Sequence, residues 1–75
     1  MEPTKKEQQF LKIIGQRITH LREESGLSVQ ELADMAILTR MHLYRIEAGN
    51  TPAGILVLRR ITLALKADLC ELFKK

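Results

Sequence analysis

Between Val29 and Gly49 the chain reads VQELADMAILTRMHLYRIEAG. Its apolar positions predict two short amphipathic helices with a tight joint at Ala36–Thr39. Leu32, Ala33 and Ala36 stand at i, i+1 and i+4 of the first, and Leu43 and Ile46 at i and i+3 of the second, with Leu38 between them. The second helix leaves Arg40, Met41, Tyr44 and Arg45 outside that core. Arginines, a methionine and a tyrosine exposed on one short helix are side chains suited to reading base edges in a DNA major groove.

Helix starts are written clearly elsewhere. Thr4-Lys5-Lys6-Glu7 and Ser28-Val29-Gln30-Glu31 are capping boxes, with a hydroxyl at the N-cap and a carboxylate three residues on. Asp68-Leu69-Cys70-Glu71 has the same form. Thr39 can cap the helix that starts at Arg40, but its third residue is His42. A carboxylate there would repel phosphates if this helix entered DNA. The plainer reading is that Thr39 alone suffices as a cap.

These signals predict an all-α chain of five helices. The first runs from Pro3 or Thr4 to Glu24, with Phe10, Ile14, Ile18 and Leu21 toward the core. Gly15 inside it costs about 1 kcal/mol relative to Ala, and so marks a break or a close helix crossing. Gly26 ends this helix. The others cover Val29–Ala36, Arg40–Ala48, Gly54–Lys66 and Leu69 to Phe73 or slightly beyond. The fourth carries Leu58, Ile61 and Leu65 on one face, yet Leu56 and Leu63 form a second stripe beside Arg59 and Arg60. An extra apolar stripe points to a second subunit, with Leu56, Arg59 and Leu63 at the interface. The alternative is that helices one and five cover it.

At 75 residues the chain holds one domain with one small core. Residues 1–12 extend the first helix, residues 29–48 form the helix pair and residues 54–74 supply the dimer face. The net charge of +3 is a weak hint of a polyanionic partner, and its excess lies in the C-terminal third. Cys70 is the single cysteine and reads as an apolar filler in a reducing compartment. No apolar run reaches the ~18 residues of a membrane span, and MEPTKKEQQF lacks a signal-peptide core. A cytoplasmic, nucleoid-associated protein is expected.

The segments IGQRITHLREESGLS, QELADMA, LTRMHLYRIEAGN, LRRITLAL and LCELF, taken together, resemble the phage-repressor (Cro/cI-type, XRE-like) helix-turn-helix family. The resemblance spans Ile14 to Phe73 and implies a five-helix, lambda-repressor-like DNA-binding domain. It implies Thr39, Arg40, Met41, Tyr44 and Arg45 as the residues that meet bases. Ser28 and Gln30, at the start of helix two, and Asn50 and Thr51, after helix three, would grip phosphates. It further implies a structural ion pair between Arg22 and Glu47. Three positions depart from the family: Val29 stands where Gln is frequent, and Ile37 and Lys66 stand where Gly is usual. Ile37 therefore needs a negative φ or some strain, and Lys66 a strained or different cap. Phe10 is expected to pack on the core. A mobile arm carrying Lys5 and Lys6 is disfavoured by the Thr4 cap.

The leading expectation is a dimeric, sequence-specific regulator on a pseudo-palindromic site in double-stranded DNA. The family's small members include restriction–modification controllers, phage repressors and plasmid or toxin–antitoxin regulators. With no ligand module, regulation would come from the protein's own concentration. The alternative is an antitoxin or protein-interaction module, with a toxin or other protein as partner. His20 and His42 are too far apart in the pattern for a metal pair, and there is no phosphate loop, CxxC or catalytic Ser/His/Asp set. No cofactor, metal or catalysis is expected.

Overall fold

The computed structural model describes residues 2–73. The chain folds as α1 (Lys5–Glu24), α2 (Val29–Met35), α3 (Arg40–Glu47), α4 (Ile55–Leu65) and α5 (Leu69–Phe73), with no strand among the described residues. Both hydroxyl capping boxes form. Thr4 Oγ1 accepts from the Glu7 N–H, and Glu7 accepts from the Thr4 N–H. Ser28 and Glu31 do the same for α2. At Asp68 the outcome differs: the Glu71 N–H donates to the Asp68 main-chain carbonyl. A single-turn helix closes its first turn through the backbone.

The core is drawn from every helix. Ile14 and Ile18 of α1, Leu32 and Ala33 of α2, Ala36 at its C-cap, Leu43 and Ile46 of α3, Leu58, Ile61 and Leu65 of α4, and Leu72 of α5 are all buried. Each large side chain among them contributes about 1.5–3 kcal/mol by leaving water. α3 packs on α1 and α2, α2 also on α4, and α5 on α1 and α4. Val29, the atypical first residue of α2, packs against this core, which accounts for an apolar residue there.

Phe10 corrects an expectation. It is half exposed, and its ring lies flat against that of Phe73, with centroids 6.1 Å apart. Phe10 lies one turn before Ile14, the first buried residue of α1, and meets the end of α5 instead of the core.

Four helices end in one manner. Gly26, Ile37, Gly49 and Lys66 occupy the left-handed region, with φ of 74°, 58°, 74° and 57°. In each case the next residue reaches back across the turn: Leu27 to Arg22 O, Leu38 to Ala33 O, Asn50 to Arg45 O and Ala67 to Thr62 O, at 2.8–3.1 Å. The pattern-based ends of α2, α3 and α4 overran by one residue because Ala36, Ala48 and Lys66 belong to these closing turns. Ile37 thus takes the strained alternative, and Lys66 is a true left-handed cap.

Candidate nucleic-acid interface

α3 is short and two-faced. Leu43 and Ile46 point into the core, while Arg40, Met41, Tyr44 and Arg45 face solvent. At 100° per residue, Arg40 and Tyr44 form one row and Met41 and Arg45 the adjacent row, together spanning about 140° of arc. Met41 is 56% exposed and Tyr44 60%, so neither is committed to the monomer's core. Thr39 Oγ1 accepts the His42 N–H at 3.0 Å and caps the helix without any carboxylate. Among the described residues the ion pairs are His20–Glu24 and Arg22–Glu47, so Arg40 and Arg45 keep their charge unpaired.

A polar strut holds α3 in place. Arg22 Nε donates to Glu47 Oε2 at 2.9 Å, and Nη2 to Oε1 at 3.2 Å. Arg22 Nη1 donates to the Leu27 carbonyl at 2.8 Å. One guanidinium therefore ties α1, the loop before α2 and the last turn of α3. The Thr19 hydroxyl lies 2.9 Å from Glu47 Oε1 and 3.0 Å from the Gly15 carbonyl, and donates there. The Arg22 and Glu47 side chains are 13% and 8% exposed. Among the described residues no buried side-chain polar atom lacks a partner.

The residues read as phosphate grips fall in two places. Ser28 sits at the start of α2, where its N–H and its hydroxyl oxygen are both engaged by Glu31. Gln30 is exposed and its Nε2 donates to Asp34 Oδ1 at 2.8 Å. Asn50 is exposed and Thr51 half-buried, directly after α3. Leu56, Arg59 and Leu63 lie together on the outer face of α4.

Two structural contacts were missed by sequence reasoning. Thr19 carries no motif, although it is one helical step from Arg22 on the same face. Lys12 lies against Gly49 at the end of α3, a contact 37 residues apart in sequence that no local pattern signals.

The helix-turn-helix domain family matches residues 13–72 of the chain. The chain belongs to that family of Cro/cI-type DNA-binding regulators. No curated protein matches it. The regulator is similar to the solved restriction-modification controller protein C.AhdI from Aeromonas hydrophila. The two share 32% identity, with 84% of this chain and 96% of that one covered and a TM-score of 0.82. It is also similar to an HTH_3 family transcriptional regulator from Vibrio cholerae, with 27% identity, 89% and 38% covered and a TM-score of 0.83. The clp gene regulator ClgR from Corynebacterium glutamicum shares the fold at 20% identity, with 97% and 72% covered and a TM-score of 0.83. As a helix-turn-helix regulator it acts by binding DNA and not by catalysis. No described helix is long and apolar enough to cross a membrane, and no group of three metal-ligating side chains occurs among the described residues.

Proposed function

We propose that the regulator is a dimer that seats α3 in the major groove of each half of a pseudo-palindromic operator. The carrying observation is the solvent face of α3, where two unpaired arginines flank Met41 and Tyr44 behind a carboxylate-free cap. Arg40 and Arg45 donate to guanine O6 and N7, Met41 presses on a thymine methyl, and Tyr44 and Thr39 supply hydroxyls. Ser28, Gln30, Asn50 and Thr51 hold phosphates and fix the register of α3 without reading sequence. Leu56, Arg59 and Leu63 pair with their copies, spacing the two α3 helices about 34 Å apart, one turn of DNA. The similarity to a restriction-modification controller over nearly that protein's whole length supports a role in controlling a small set of genes, including its own, in the cytoplasm.

The test is binding to duplex DNA across a salt series. Selection of bound sites from random DNA should return a two-fold symmetric sequence. Affinity for it should fall by about a thousandfold or more between 50 and 200 mM salt if six or more phosphates are held. Arg40→Ala and Arg45→Ala should each weaken that binding. A flat salt response with no selected site refutes the reading. A protein-interaction role, served by the exposed Met41 and Tyr44, would instead show as a partner complex that survives both substitutions.

A further inference from the structure

The contacts proposed above use α2, α3 and the loop after α3, and leave α1 without a part in binding. Yet α1 reaches that loop. A Cβ built on Gly49 would stand 2.7 Å from Lys12 Cα and 2.7 Å from Lys12 Cγ. Glycine at this position lets the Lys12 stem lie flat across the end of α3. A surface hollow opens there, lined by Gln8, Lys12, Gly49 and Asn50, with Glu2 also in its wall. Among the described residues Lys12 has no carboxylate within ion-pair distance. Gln8 spends its Nε2 only on a long 3.4 Å contact to the Pro3 carbonyl. The residues that line the hollow thus carry an ammonium with three donors and two side-chain amides.

We propose that Lys12, Gln8 and Asn50 form a seat for one phosphodiester of duplex DNA, built by α1 at the end of the reading helix. The inference rests on the major-groove reading of α3. The Asn50 N–H donates to the Arg45 carbonyl at 2.9 Å, which ties the hollow to the last turn of the reading helix. A tetrahedral anion accepts from several N–H donors at once, whereas an apolar ligand would leave those of Lys12, Gln8 and Asn50 unpaired. Glu2 opposes the anion from the wall of the hollow, so its charge weakens the seat.

The experiment measures binding of the full chain to its selected operator and to an unrelated duplex across a salt series. Lys12→Gln keeps the stem over Gly49 and removes the charge. It should weaken binding to both duplexes by one common factor, about tenfold at low salt, and lower the salt slope by about 1. Glu2→Gln should strengthen binding to both. Lys12→Arg should retain the wild-type slope. Thermal melting of each free variant verifies the fold. An unchanged slope and affinity for Lys12→Gln overturns the seat, as does a loss confined to the operator. If Arg40→Ala weakens binding while Lys12→Gln does not, only this inference fails. If the wild-type chain binds no duplex, the proposed function fails and the seat with it.

Discussion

Gly15 lies so close to α3 that a methyl group on it would stand 2.3 Å from the carbonyl oxygen of Glu47. The Ile46 carbonyl would be 2.6 Å away. Both atoms are backbone, so no side-chain rotation relieves the clash. Gly15→Ala sets two effects against each other. Helix propensity favours Ala by about 1 kcal/mol. Overpacking at a site that cannot give costs about 1–3 kcal/mol or more, and a contact this short belongs at the upper end. Packing wins. The melting temperature should fall, by about 4–8 °C for each kcal/mol lost. A variant as stable as the wild type would show that α1 and α3 separate freely.

Ile37 offers the opposite sign. It is 79% exposed, so its side chain contributes little to the core, while its φ of 58° is costly for a β-branched residue. Ile37→Gly removes about 1–2 kcal/mol of strain. It also gives the unfolded chain more freedom, which offsets about 0.4–1 kcal/mol. Denaturant midpoints should therefore rise, by a net gain of up to about 1.6 kcal/mol. Lys66→Gly should shift the same way. Gly49→Ala should shift the other way, since it meets both a φ of 74° and the Lys12 backbone.

The helix starts and the core face were legible because caps and 3.6-residue periodicity are local. Thr4 and Ser28 announce their helices in four residues, and Leu32, Leu43 and Ile61 fall on predicted buried faces. Phe10 was misread because periodicity does not show where a long helix outruns its neighbours. The sign of φ at Ile37 was unreadable because side-chain preference argued against what the turn requires. Gly15 drew notice as a helix-interior glycine, but its contact with α3 lies 32 residues away in sequence and only the fold supplies it. The solvent face of α3 was the remainder left once the core positions were subtracted. The Arg22–Glu47 pairing came from family resemblance and not from any spacing.

Removing either end of the Arg22–Glu47 pair should be costly. Both side chains are largely buried, and either one left alone keeps a charge away from water. Loss of one partner from a buried pair costs about 3–5 kcal/mol. Arg22→Ala strands the Leu27 carbonyl as well, so it should exceed Glu47→Ala. Urea unfolding of both single variants and of the double variant should reveal strong non-additivity. Simple additivity would mean that the pair behaves as an exposed one.

Acid should weaken the start of α2. The Ser28 N–H, and then its hydroxyl, hold the Glu31 carboxyl below its ordinary value of 4.5. A carboxyl with a depressed folded-state value stabilises the fold fully above the unfolded value. That contribution disappears as pH falls through the folded value. Gln at position 31 can accept the same bonds without titrating. Unfolding midpoints of Glu31→Gln should therefore lose less between pH 5 and pH 3, roughly, than those of the wild type. Parallel loss in both chains would show that the box carries no linked proton.

The proposed dimer face carries its own test. Leu56 is 70% exposed and Leu63 57%, seven residues apart on α4, with the exposed Arg59 and Arg60 between them. Each leucine adds about 1.5–3 kcal/mol if a second copy buries it fully. Leu63→Glu removes that gain and brings two like charges near the symmetry axis, while leaving the monomer's core untouched. Association stabilises the folded form by mass action, so the wild-type melting temperature should climb with protein concentration. The variant's should not, and sedimentation should show it as a folded monomer. On an operator with two half-sites the variant should bind each half independently. A wild type whose melting is independent of concentration and which sediments as a monomer would assign the stripe to some other contact.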